Sequence, residues 1–225
     1  MLNLLNSDFE GWRAKNPNLP LSDFDFSIKK IGSNNPMFDF DKLNNISKTV
    51  ISKYSAEQIY NELLVWADKY SPEYAKTLNA NKDMMIALFG IDRGGDRPRK
   101  DIYAWSQVED LYSYMYTDID VILDEKFKNL NTKQFLLEYV DKYDINLDKQ
   151  SWFAQIKEIA LANNFADNKD YRANPTAYAG SIADACNIVR VAVTGRANTP
   201  DLCSIMQLLG EGVVKQRINN LTNSL

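Results

Sequence analysis

The chain has 225 residues, 45% of them hydrophobic and 25% charged, an ordinary soluble composition with room for one sizeable core or two to three small helical modules. Its 26 basic residues against 30 acidic ones give a formal charge of −4, which argues against a broadly basic polyanion-binding surface and leaves room for a local one. With no histidine and two cysteines, it can build no histidine metal site, Ser-His-Asp triad or Cys-His pair.

No apolar run approaches the roughly 20 residues of a membrane span, and the N-terminus lacks the basic-then-apolar layout of a signal peptide. Met1 to Asn6 reads as the interior of an apolar helix behind a start codon. Leu4, Leu5, Phe9 and Trp12 share a helical face that stops at Asn16-Pro17, because proline disfavours helical geometry in its predecessor. After a loop and a turn from Gly32 to Pro36, the residues Phe38, Leu43, Ile46, Val50 and Ile51 give a second apolar face, with Asp39 or Asp41 near its start. Ser55 can cap the next helix, either in a capping box with Gln58 or through the backbone alone, and Ile59, Leu63, Trp66, Ala67 and Tyr70 extend it. Pro72 opens another short helix. The Met84, Met85, Leu88 and Phe89 stripe is better explained by core packing than by a cofactor.

Gly90 to Lys100 breaks the pattern, with Arg93, Arg97, Arg99 and Lys100 set beside Asp92 and Asp96 and around Gly94-Gly95. The glycine pair lacks the spacing and lysine of a phosphate loop, so a solvated loop and a contact to an RNA backbone both remain open. Trp105, Val108, Leu111, Tyr112, Met115 and Tyr116 restart a helical face that buries most of its rings, which favours core over a base-stacking platform. Asp118, Asp120 and Asp124 suggest a magnesium site, yet without supplied phosphates or fixed geometry they read better as the acid cluster of a helix start. Helices are expected from about Asn131 to Tyr143 and around Ser151 to Phe165, followed by a polar connector from Asn168 to Pro175 that carries Lys169 and Arg172.

The densest pattern runs from Ser181 to Leu209. Ala183, Cys186, Val189, Arg190 and Val193 recur at helical offsets, Gly195 sits at a helix end, and Thr199-Pro200 offers an N-cap and a first-turn proline for the next helix. Cys186 and Cys203 both lie in apolar patterns and read as reduced core residues. The two helices meet at a basic, polar elbow. It is either a solvated Arg196 with Arg190 passing the core, or a convergence of guanidinium groups and a helix N-terminus on phosphates or base edges. Beyond Gly210-Glu211-Gly212 a terminal helix turns Val213, Val214, Ile218 and Leu221 inward and leaves Lys215 and Arg217 outside. No segment alternates like a strand, so the expected class is all-α, helix packed on helix.

Three runs carry a family resemblance: Val189-Arg190-Val191-Ala192-Val193-Thr194-Gly195-Arg196, then Thr199-Pro200-Asp201-Leu202, then the segment from Ile205 to Ile218. Together they resemble the anticodon-binding end of bacterial glutamyl-tRNA synthetases. Asp39-Phe40-Asp41-Lys42-Leu43-Asn44 is similar to the segment after that family's catalytic signature loop, and Pro98 to Ser106 is similar to a linker in one branch of it. The matches keep the family's order and run nearly from end to end.

The resemblance implies the C-terminal part of such an enzyme: residues 1–54 as the remainder of a stem-contact region, 55–128 as a first helical anticodon-binding subdomain and 129–225 as a second. It implies binding of glutamate tRNA, with Arg190, Thr199, Pro200 and Leu202 at the anticodon and Arg97, Arg99, Lys100, Arg196, Lys215 and Arg217 as candidate backbone contacts. For Leu202, plain core packing stays an equal reading. The family's ATP- and Mg-dependent glutamylation belongs to a catalytic domain in cis. No catalytic residue, metal or cofactor is expected here, because the family's histidine-bearing signature cannot exist without histidine and Ser27-Ile28-Lys29-Lys30 does not sit in the context of its lysine-serine-lysine loop. A cytoplasmic monomer without membrane contact is expected. The helical pattern separates the chain from glutaminyl enzymes, whose anticodon-binding domains are β-barrels. A free-standing helical protein-interaction module is the alternative, and a small metal enzyme built on Asp118, Asp120 and Asp124 a more remote one.

Overall fold

The computed structural model describes residues 7–30 and 39–225, so the apolar run before Ser7, the Gly32 to Pro36 turn and Phe38 lie outside the described residues. The main elements in chain order are α1 (Ser7–Lys15), α2 (Phe40–Ile51), α3 (Ala56–Tyr70), α4 (Pro72–Ala80), α5 (Lys82–Gly90), α6 (Val108–Leu111), α7 (Leu130–Lys142), α8 (Lys149–Ala162), β1 (Phe165–Ala166), α9 (Asn168–Ala173), β2 (Gly180–Ser181), α10 (Ile182–Thr194), α11 (Leu202–Leu209) and α12 (Glu211–Ser224). The all-α class holds. β1 and β2 add one short parallel pairing, Phe165 opposite Gly180 and Ala166 opposite Ser181.

Short polar side chains start most of the helices by accepting otherwise free backbone N–H groups. Asp39 takes the Lys42 N–H, Asn129 that of Thr132 and Asp148 that of Ser151. Ser55 forms the full capping box with Gln58, and Pro72 stands at the first turn of α4.

Two apolar cores follow. In the first, α3 packs on α4 and α5, burying Ile59, Leu63, Tyr74, Leu78, Met85 and Phe89, and Ile102, Val108, Tyr112 and Tyr114 close it. In the second, α7 packs on α8 and α12, and α10 on α8 and α12, around Phe135, Tyr139, Trp152, Ile156, Ile188, Val189 and Ile218. Gly180 lets β1 approach, since a Cβ there would stand 3.1 Å from the Phe165 ring. Helix α11 belongs to both cores: Ile205 enters the first, while Leu202, Cys203 and Met206 enter the second. This shared helix sits directly after the elbow.

Three local expectations change. The face from Trp105 to Tyr116 is buried as its spacing predicts, but its backbone is a 3-10 turn (Trp105–Gln107), the single turn α6 and another 3-10 turn (Ser113–Met115). Tyrosine and serine are weak helix formers, so packing decides the backbone there. Residues 118–124 do not start a helix; only Asp124 caps, accepting the Lys126 N–H ahead of a 3-10 turn. Ile119, Val121 and Ile122 are β-branched and stiff, and the extended strap they form sends Ile119 toward the first core and Val121 and Leu123 toward the second. The expected polar connector after residue 168 instead contains α9.

Candidate functional site

Helix α10 is fixed at both ends. At its start Ser181 and Asp184 form a capping box, with the Asp184 N–H 3.1 Å from Ser181 Oγ and the Ser181 N–H 2.8 Å from Asp184 Oδ2. At its end Gly195 adopts φ +68° and returns its N–H to the Val191 carbonyl at 2.8 Å. Because Asp184 is committed to the cap, it leaves Arg190, a turn and a half further on, to find another partner.

That partner is Thr199. Arg190 Nη1 donates to Thr199 Oγ1 at 2.7 Å and to the Thr199 and Pro200 carbonyls at 3.3 Å each. The next helix therefore does not begin at Thr199-Pro200: Asp201 is the N-cap, its Oδ1 accepting the Ser204 N–H at 3.0 Å and the Ser204 hydroxyl at 2.9 Å. Asp201 followed three residues later by Ser204 was a cap signal in its own right, overshadowed by the adjacent threonine and proline. Arg190 is half-buried, and its Nη2 and Nε have no acceptor among the described residues. It presents two donor groups, Nε and Nη2, along one edge of a planar fork.

Pro200 is buried and Leu202 is 2% exposed within the second core, so neither offers an open apolar face to a base. They form the rigid floor of the corner. For Leu202 the core-packing reading describes what the side chain does in this structure.

The six candidate backbone contacts fall into two groups. Arg97 and Lys100 are exposed in the 91–100 loop, and Lys215 is half-exposed, 2.7 Å from Glu211. The other three are engaged by the protein. Arg99 Nε lies 2.8 Å from Asp101 Oδ2, Arg93 Nη2 lies 3.4 Å from Asp101 Oδ1, and the Tyr112 hydroxyl also donates to Asp101. Burial pushes the Tyr112 phenol well up, which keeps it a donor. Arg196 Nη2 is 3.0 Å from Asp110 Oδ1 and also donates to the Asp110 carbonyl. Arg217, expected on the outside, turns inward to three carbonyls, those of Val193, Tyr114 and Thr117. Burial lowers its pKa, opposed by the Asp118 carboxylate.

Three further residues tie the elbow down that sequence reasoning missed. Asp201 Oδ2 pairs with Lys149 at 2.7 Å, and the Asp201 N–H donates to Asp92 Oδ2 at 3.3 Å. Burial pushes the Asp201 carboxyl up, but the Lys149 ammonium and the Ser204 donors outweigh it and hold the group below its ordinary value. Asp92 itself stands at φ +51°. Nothing local in the sequence joins residues 92, 149 and 201. Among the described residues no three His, Cys, Asp or Glu side chains converge to hold a metal, and no helix is long and apolar enough to cross a membrane.

Comparison with known proteins points to the same stretch. The family description "Anticodon binding domain" matches residues 178–222, the segment that contains α10, the elbow, α11 and most of α12. The glutamate–tRNA ligase of Acetivibrio thermocellus is 39% identical over 98% of this chain, that of Clostridium perfringens 37% over 97%, and that of Sorangium cellulosum 33% over 97%. The chain spans 41%, 41% and 39% of those three proteins, about two fifths of their length. A crystal structure of glutamate–tRNA synthetase from Elizabethkingia anophelis matches 88% of this chain and 34% of its own with a TM-score of 0.50 at 16% identity, which is a likeness of fold alone. Over nearly all of its length the chain is thus similar to a stretch of the glutamate–tRNA ligases, and its α10-to-α12 region matches the description of an anticodon binding domain.

Proposed function

We propose that the chain binds glutamate tRNA and reads its anticodon at the Arg190–Thr199 corner, as part of a longer cytoplasmic ligase whose ATP- and Mg-dependent glutamylation takes place outside these residues. The observation that carries this reading is the coincidence of the anticodon binding domain match with a corner where Arg190 is held through Nη1 and keeps Nη2 and Nε unspent. The residues present do not suit ATP or a metal: Gly94-Gly95 lacks phosphate-loop spacing and no metal-holding group converges among the described residues. No chemical step is therefore assigned to this chain.

In this reading the chain acts as a monomer, with residues 1–54 continuing a stem-contact region and 55–128 and 129–225 serving as two helical units; most of each core falls within one of the two ranges, while Leu123 and Phe127 cross into the second core and Ile205 into the first. Arg190 meets a base edge through its free fork, Thr199 sets its angle, and Pro200 with Leu202 backs the corner. The Arg190→Ala variant tests this. Affinity for a glutamate tRNA transcript is expected to fall by about 1–3 kcal/mol, while affinity for a transcript with a changed anticodon stays nearly constant, because lost readout matters only where a base was being read. Equal weakening of both would make Arg190 a phosphate contact.

The exposed cations have a different signature. Neutralising Arg97 and Lys100 together is expected to lower the salt slope of binding by up to roughly one unit per lost phosphate contact without anticodon dependence. Lys215→Ala belongs to the same class. A slope unchanged in both variants would confine these residues to the solvated surface.

A further inference from the structure

Arg217 turns both Nη groups and Arg196 its Nη2 to the protein itself, and both reach from the second core's side of the elbow to the segment 110–117 of the first. Arg217 Nη1 donates to the Val193 carbonyl at 2.7 Å and to the Tyr114 carbonyl at 2.8 Å, and its Nη2 to the Thr117 carbonyl at 3.0 Å. Val193 lies in the last turn of α10, whose final carbonyls have no intrahelical N–H to accept from, and the end of a helix dipole favours a cation. One planar group thus closes the end of α10, the 3-10 turn at Ser113–Met115 and the start of the extended strap. Arg196, on the other side of Gly195, donates to the carbonyl and carboxylate of Asp110 and lies 3.4 Å from the Ser113 hydroxyl. The turn that holds Arg190 is therefore clamped to the first core both before and after Gly195.

We propose that Arg196 and Arg217 are positioning residues that set the Arg190–Thr199 corner against the first core, so that base selectivity at Arg190 depends on two arginines that do not touch the RNA. This rests on the reading of that corner as the anticodon site. Val193 is three residues from Arg190, so a shift of the last turn carries the guanidinium with it. Arginine is required because its fork reaches three acceptors in one plane, whereas a lysine ammonium is a single point with rotating donors. A phosphate could take Arg217 only by orphaning partly buried carbonyls, which is costly.

The test uses the whole chain with Arg217→Lys and Arg196→Lys, which conserve charge. Dissociation constants are measured for a glutamate tRNA transcript and for the same transcript with one anticodon base changed, across a salt series and well below the melting temperature. Arg217→Lys is expected to shrink the matched-to-changed affinity ratio by about two- to thirtyfold, with affinity for the changed transcript and the salt slope preserved. Arg196→Lys, whose Asp110 partner is 85% exposed, should shrink it less. A ratio kept at its unsubstituted value overturns the proposal, even where melting temperature falls, since that is a structural role only. Equal weakening of both transcripts by Arg217→Ala, with a salt slope lower by about one, overturns it in favour of a phosphate contact. If Arg217→Lys does not fold, the ratio for Arg196→Lys decides alone. An unsubstituted chain with no ratio to lose refutes the anticodon reading itself, which separates that failure from failure of the clamp.

Discussion

Asp101→Ala is expected to destabilise the chain by about 3 kcal/mol, the lower end of what removing one partner of a buried ion pair costs. The Asp101 carboxylate is the sole acidic partner of two guanidinium groups among the described residues, Arg93 with 4% of its side chain exposed and Arg99 with 11%, and it accepts from the Tyr112 hydroxyl as well. Without it two like charges face each other in a poorly solvated place. Burial already lowers the Arg93 pKa, the Arg99 charge lowers it further, and Asp101 is what opposes them. Asp101 is 21% exposed, so water enters and the loss stays at the lower end. In a chain of this size the melting temperature should drop by roughly 6–12 °C. Asp101→Asn, which keeps the shape but loses the charge and one of the two accepting oxygens, should recover only part of this. A drop below about 2 °C for Asp101→Ala would show that water solvates both arginines and that the 91–100 loop is not a structural knot.

Gly195→Ala should cost about 2–4 kcal/mol, from about 1–2 kcal/mol of left-handed strain together with the clash its methyl group creates. A Cβ at this position would stand 2.9 Å from the Asp120 carbonyl oxygen, which belongs to the backbone of the strap between the two cores and cannot swing aside as a flexible side chain could. Gly195 is thus where the helix end and the strap cross. Gly195→Asn separates the two contributions, because asparagine tolerates the left-handed region but still carries the Cβ. It should recover the strain and retain the clash. Thermal melts of the two variants check this. Equal melting of Gly195→Ala and the unsubstituted chain would mean that the strap is free to move away, and the elbow would then have no fixed backing.

The helices were legible where the signal was local. Ser55 with Gln58, Pro72 and Gly195 each act within a turn of themselves, and the structure uses them as the spacing predicts, with the capping box settling which form the Ser55 cap takes. The burial pattern from Trp105 to Tyr116 was legible while its backbone was not, because a face can be buried by short turns as well as by one helix. At the elbow, Thr199 and Asp201 compete for one cap, and the winner is decided by Arg190 taking Thr199, a contact across nine residues. The arginines show the limit most clearly. A sequence gives the charge of Arg99, Arg196 and Arg217, but their acceptors are Asp101, Asp110 and three carbonyls left open by folded helix ends and turns, and these exist only once both cores have formed.

The most direct measurement is the affinity of the unsubstituted chain for two RNAs at one salt concentration: a glutamate tRNA transcript and the same transcript with a single anticodon base replaced. If α10, the elbow and α11 read the anticodon, the first should bind about five- to 150-fold more tightly, the equivalent of the roughly 1–3 kcal/mol that a specific base contact contributes. Equal affinity for the two at every salt concentration would contradict base readout and leave the chain, at most, a holder of tRNA by its phosphates.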